Sequence, residues 1–181
     1  LGVASTKYRR REKELNALTQ EKGGVRSWVN VLANGGPAAI SIILEHVFRM
    51  EIFLVFFTTS VCSATADTLA TEIGLLSNSK PRLITNLSRK VEKGVSGGIT
   101  LLGTLAGLLG AIIIALFSLA LQQADALGIL SGVSDAQRLL VACVTGGFLG
   151  MIVDSLLGAT VQGAYVSKAD GRLYEKPGKS D

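Results

Sequence analysis

The chain has one histidine, two cysteines and no cluster of either, so it is poor in the side chains from which most soluble enzymes assemble their chemistry. A Ser-His-Asp or Cys-His nucleophile needs an imidazole facing it, and lone His46 stands beside Phe48-Arg49 with no such partner, which excludes hydrolysis by a conventional triad. Zinc is equally unsupported, because no CxxC and no second ligand at metal spacing is present. Cys62 and Cys143 fall inside apolar runs and are expected as free thiols packed like small apolar groups. The phosphate-binding patterns GxxxxGK[ST] and GxGxxG are both missing. The net charge of +4 comes without an aromatic-interleaved basic face or a DNA-binding motif, so nucleic acid is excluded as a partner.

What is present is long apolar segments. Residues 97 to 121 run 25 positions without a charge, and about 20 suffice to cross a hydrocarbon core about 30 Å thick. Three further segments qualify as spans: Trp28 to Phe48, Ile52 to Gly74, and Leu139 to about Tyr165. The first carries Asn34-Gly35-Gly36-Pro37 and is expected to be short, broken or re-entrant there. The fold class is therefore all-α, a polytopic transmembrane helix bundle with about four spans. Residues 1–27 read as a basic arm, with a solvated helix over 6–22. Residues 28–165 read as the bundle with a connecting loop 75–96, and 166–181 as a tail. With no initiator Met and no secretory signal pattern, residue 1 is expected to be an internal point of a longer chain with further spans.

Lysine and arginine are distributed unevenly: seven in residues 1–27, five in 75–96 and four in 166–181, against Arg49 and Arg138 alone in the intervening turns. With four spans the three basic segments share one side, which the positive-inside rule makes cytoplasmic. The glycine pairs Gly103/Gly107 and Gly146/Gly150 have GxxxG spacing and are expected to pack helices closely.

Against this apolar background the acids stand out. Asp67 lies seven residues before Gly74, roughly 10 Å of helix rise above the end of its span, and Asp154 lies at similar depth in the last span. An acidic residue at the centre of a spanning helix costs about 2.5 to 3.5 kcal/mol, so such residues are kept for a partner, an ion or a reaction. Two buried carboxylates at one depth can share a magnesium ion, which is typically held by one or two carboxylates, waters and substrate phosphates. The alternative is that each acid pairs with a base such as Lys80 or Arg82 to hold the bundle. Glu72 is five residues from Asp67, about 140° round an ideal helix, so joint coordination by the two would need a break.

The segment Lys93-Gly94-Val95-Ser96-Gly97-Gly98 is expected to lead straight into the third helix and to offer backbone N–H groups to an anion there. Lys80, Arg82, Lys90 and Lys93 would supply positive charge for a triphosphate; a solvated loop is the plainer account of any one lysine. Asn30 and Asn34 share one helical face, either capping a broken helix or holding a ligand.

Taken in order, Gly24–Gly35, Ala66–Gly74, Lys80–Thr85, Lys93–Thr100 and Asp154–Gln162 resemble the integral-membrane phytyl-phosphate kinases and their membrane relatives. The Asp-Thr, Gly, Lys, Gly-Gly order is also similar, more loosely, to CTP-dependent polyprenol kinases and phosphatidate cytidylyltransferases. The resemblance implies an enzyme with CTP as phosphoryl donor, Mg2+ as its ion, and an isoprenyl phosphate such as phytyl phosphate as lipid substrate. On that basis Asp67 and Asp154 are metal ligands, and Lys80 and Arg82 act with them on the phosphates. Asn30, Asn34, Glu72, Lys93, Gly94, Gly97 and Gly98 are the nucleotide-binding candidates. The bilayer is the other partner, and a homo-oligomer is left open. Two other functions fit the same residues: nucleotidyl transfer from CTP to make a CDP-lipid, and transport, for which acids at membrane depth and broken helices are also expected. The Asn-rich segment of the family's last helix has no counterpart here.

Overall fold

A computed structural model describes residues 28–124 and 135–161, together with the strand residues 165–166 and 173–174. The expected arm helix over 6–22 and most of the tail lie outside the described residues. Four helices form the bundle: α1 Trp28–Phe48, α2 Glu51–Gly74, α3 Leu101–Ala124 and α4 Ala136–Val161. All four are long and apolar enough to cross a membrane.

Helix α2 is the hub, packing against α1, α3 and α4. Its sequence explains why. Small and hydroxyl residues recur from Thr58 to Thr71, so neighbours can approach on several sides. Two of the hydroxyls are satisfied within the helix, Thr58 and Thr68 donating to the carbonyls of Leu54 and Ala64 four residues back at 3.0 and 2.8 Å, whereas the buried Thr59 Oγ1 has no hydrogen-bond partner among the described residues. Glu51 in the first turn complements the positive end of the helix dipole. At the tight connection from α1, the rings of Phe48 and Phe53 lie 5.9 Å apart.

Helix α1 is continuous through Asn34-Gly35-Gly36-Pro37, which corrects the expected break. Proline removes one backbone donor, but the usual clash with the preceding residue's Cβ does not arise, because that residue is Gly36. The Ser41 hydroxyl donates to the Pro37 carbonyl at 2.8 Å.

Helices α2 and α4 run parallel and in direct contact, with α3 packed antiparallel against both. Gly103 and Gly107 of α3 meet Ala70 and Ala66 of α2, and Gly146 and Gly150 of α4 meet Thr59 and Ser63 of α2, so both glycine pairs do pack helices. The innermost apolar cluster is Leu54, Cys62, Ala115, Leu139 and Cys143. Both thiols are free and fully buried, as expected from the sequence.

The connection between α2 and α3 is more ordered than a loop. It folds as a three-stranded antiparallel sheet in the order β2-β1-β3, with β1 Arg82–Leu83, β2 Asn86–Lys90 and β3 Gly98–Ile99. Val91, Val95 and Leu83 form a small core beneath it. Beyond α4, β4 Tyr165–Val166 pairs with β5 Leu173–Tyr174.

Candidate functional site

The seam between α2 and α4 is a ladder with a step of four residues. Thr59 faces Gly146 and Ser63 faces Gly150, both so close that a side chain at either glycine would collide with its partner. One turn further along both helices stand Asp67 and Asp154. Parallel helices in register therefore bring the two acids to the same level along the seam. Asp67 is half-buried and Asp154 is exposed. Asp67 and Glu72 each take part in a polar or electrostatic interaction within the chain.

Past the acids the seam is closed by the α2–α3 connection. Gly97 has φ +75°, a conformation that favours glycine, and a Cβ there would lie 2.7 Å from the Ala159 Cα and 2.8 Å from its nitrogen. Gly158 rests against Ser96 and Gly97. The acid pair thus sits between the tight Ser63–Gly150 contact and the Gly97–Ala159 contact, open on the side that Asp154 faces.

The glycine turn itself differs from the sequence expectation. It does not run into a helix N-terminus: β3 intervenes, and α3 begins at Leu101 with Thr100 as its cap, the Gly103 N–H donating to Thr100 Oγ1 at 3.0 Å. Two of the turn's donors are already used, Gly98 N–H on the Val95 carbonyl at 3.0 Å and Val95 N–H on the Glu92 carbonyl at 3.3 Å. Gly94, with φ +89°, bends the chain between them. The main task of Gly97 is close approach to α4.

The basic candidates are also engaged. Lys80 Nζ pairs with Glu92 at 2.8 Å, and an Arg82 guanidinium nitrogen donates to the Leu87 carbonyl at 2.6 Å. Lys93 Nζ donates to the Leu75 carbonyl at 3.1 Å, where a cation suits the negative end of α2. Among the described residues the polar contacts of Lys80 and Arg82 thus run to Glu92 and to the Leu87 carbonyl.

Glu72 is buried at the end of α2, with 9 % of its surface exposed. Asn34 lies fourteen residues before Phe48 and Asp67 fourteen after Phe53, so antiparallel pairing of α1 and α2 places Asn34 near the level of the acids. Asn30 belongs to α1, and its side chain lies outside the described residues. The sequence reading missed Ser63, Gly150, Gly158 and Ala159 as residues that set the site. A signal existed: Asp67-Thr68-Leu69 is echoed by Asp154-Ser155-Leu156, on the two helices that pack in parallel.

Among the described residues no group of three or more His, Cys, Asp or Glu side chains converges. Any ion held by Asp67 and Asp154 alone would need waters or phosphate oxygens to complete its coordination.

Known proteins place this arrangement in a family. An uncharacterized membrane protein of Methanocaldococcus jannaschii is 44% identical over 74% of this chain and 50% of its own length. Protein PGR of Arabidopsis thaliana is 30% identical over 87% of this chain and 59% of its length. The chloroplastic protein VTE6 of the same plant is 25% identical over 90% of this chain and 46% of its length. The chain thus spans about half the length of the curated relatives it matches. No solved structure matches it. The family described as "Integral membrane protein DUF92" matches residues 1–181, in agreement with the resemblance read from the motifs, and the chain is a multi-pass integral membrane protein of that family.

Proposed function

We propose that this bundle is the catalytic part of a CTP-dependent kinase that converts an isoprenyl monophosphate, such as phytyl phosphate, to its diphosphate at the cytoplasmic face of the membrane. The observation that carries the reading is the registered pair Asp67 and Asp154, two carboxylates at one level of a membrane bundle with an open side. Such groups are too costly to keep for packing alone. In the reaction a phosphate oxygen of the lipid attacks the γ-phosphorus of CTP, the bond to the β-phosphate oxygen breaks, and CDP leaves. Little covalent work falls to the protein, since phosphoryl transfer is mostly positioning and charge neutralisation. Asp67 and Asp154 would hold Mg2+, which supplies positive charge to the transferring phosphate when bound. Lys93 at the end of α2 adds fixed positive charge on the same side, and Lys80 and Arg82 contribute through the sheet they brace. Glu72, Asn34, Asn30 and the turn Gly94, Gly97 and Gly98 frame the nucleotide side of the site.

The test is turnover of the purified full-length protein with a panel of nucleoside triphosphates and isoprenyl phosphates. CDP release with diphosphate formation is the expected result. Pyrophosphate release with a CDP-lipid would replace the kinase by a cytidylyltransferase, and lipid or solute flux without nucleotide consumption would replace both by a transporter.

A further inference from the structure

We propose that the β1–β2 hairpin is a docking element for anionic lipid headgroups, with Leu87, Arg89 and Lys90 as its contact residues. The five basic residues between α2 and α3 fall into two sets. Lys80, Arg82 and Lys93 are bound to Glu92, the Leu87 carbonyl and the Leu75 carbonyl. Arg89 and Lys90 make no side-chain hydrogen bond or ion pair among the described residues, and both stand on β2, where every residue is exposed.

The strand is held stiffly even though it is exposed. The Val91 N–H donates to the Pro81 carbonyl at 2.9 Å and the Ile84 N–H to the Gly97 carbonyl at 2.9 Å. At the tip, Asn86 Oδ1 accepts from the Ser88 N–H at 3.2 Å, which orders the turn into β2. The pairing of β2 with β1 is irregular, with Arg82 opposite Lys90 and Leu83 opposite Asn86, so Leu87, Ser88 and Arg89 bulge out of the ladder, all of them exposed. Leu87 is 56% exposed, an apolar side chain with no cover beside an arginine.

Position supports the assignment. The sheet order places β2 two strand spacings from β3, roughly 10 Å, and β3 ends just before Leu101, where α3 starts. The hairpin is therefore tied within a short distance of a membrane helix end, where headgroup layers flank the hydrocarbon core. Arg89 and Lys90 are neighbours on an exposed strand, and neither is tied to an acceptor among the described residues. A diffuse layer of anionic headgroups suits that geometry, and an apolar residue beside the arginine suits an interface.

The experiment uses the full chain reconstituted in phosphatidylcholine vesicles with none or about 30% phosphatidylglycerol, a composition commonly used for anionic surfaces. A fluorophore at Ser88→Cys reports quenching by lipids carrying a headgroup nitroxide; the native thiols are fully buried. Quenching should rise with phosphatidylglycerol and fall with salt. Arg89→Gln and Lys90→Gln should each weaken the docked state about fivefold, Arg89→Lys should restore it, and Leu87→Ser should reduce quenching in both compositions. Equal quenching in the two compositions, or a double Gln variant that behaves like the parent, overturns the proposal. Displacement of the quenching by inorganic pyrophosphate at constant ionic strength also overturns it, by assigning the hairpin to a discrete phosphate site.

Discussion

At the scale of the residue, carboxylates and glycines carry the sharpest expectations. Asp67→Asn and Asp154→Asn should each reduce turnover at least a hundredfold, roughly 3 kcal/mol of barrier, while the protein still inserts and purifies, because the change removes metal-binding charge and also a desolvation cost. Near-normal turnover by either folded variant defeats the shared site. Gly97→Val should fail earlier, at folding. A branched side chain at φ +75° strikes the Ala159 backbone, so the detergent-solubilised protein should lose thermal stability before nucleotide affinity can be compared. Thr100→Ala, by contrast, should cost about 1 kcal/mol as a lost cap, seen as a modest fall in the unfolding midpoint. The acids were legible in the sequence because a charge in an apolar run has few bland explanations. The role of Gly97 was not, since its partner Ala159 belongs to a helix that only the packing brings near.

At the scale of the element, hydropathy located all four helices, and their observed ends lie within a few residues of the expected ones. Two local rules misled. Asn-Gly-Gly-Pro looks like a breaker, yet Gly36 has no Cβ to clash with the proline ring, and the helix carries the lost donor and the crowding at the Ala33 carbonyl without ending. The sheet was invisible because its strands are two to five residues long and polar, too short for a period-two pattern to stand out. The parallel seam has its own test. With Cys62 and Cys143 replaced by alanine, Thr59→Cys and Gly146→Cys should form a disulfide on mild oxidation, because a Cβ at Gly146 lies 3.8 Å from the Thr59 Cβ. The bond would be read by gel after cleavage at a protease site inserted near Gly128. No crosslink, with a crosslink instead between Thr59→Cys and a residue nearer the other end of α4, would break the register on which the acid pair depends.

At the scale of the whole molecule, charge distribution predicts sidedness. A cysteine near Asn86 should react only with reagents admitted to the cytoplasmic side, and one near Gly128 only from the opposite side; labelling of both from one side would undo the four-span arrangement. The register of the seam also bears on how such a protein is made. Asp67 and Asp154 are 87 residues apart in the sequence, so at ordinary synthesis speeds the second arrives roughly 4 to 17 s after the first. During that interval α2 is already inserted and α4 does not yet exist. The first helical hairpin must therefore hold its carboxylate at membrane depth on the strength of its own apolar residues, and the site is assembled only when a second hairpin, carrying its own Asp-Ser-Leu, slides in alongside. Release of the nascent chain after residue 124 should then leave an inserted but readily extracted protein.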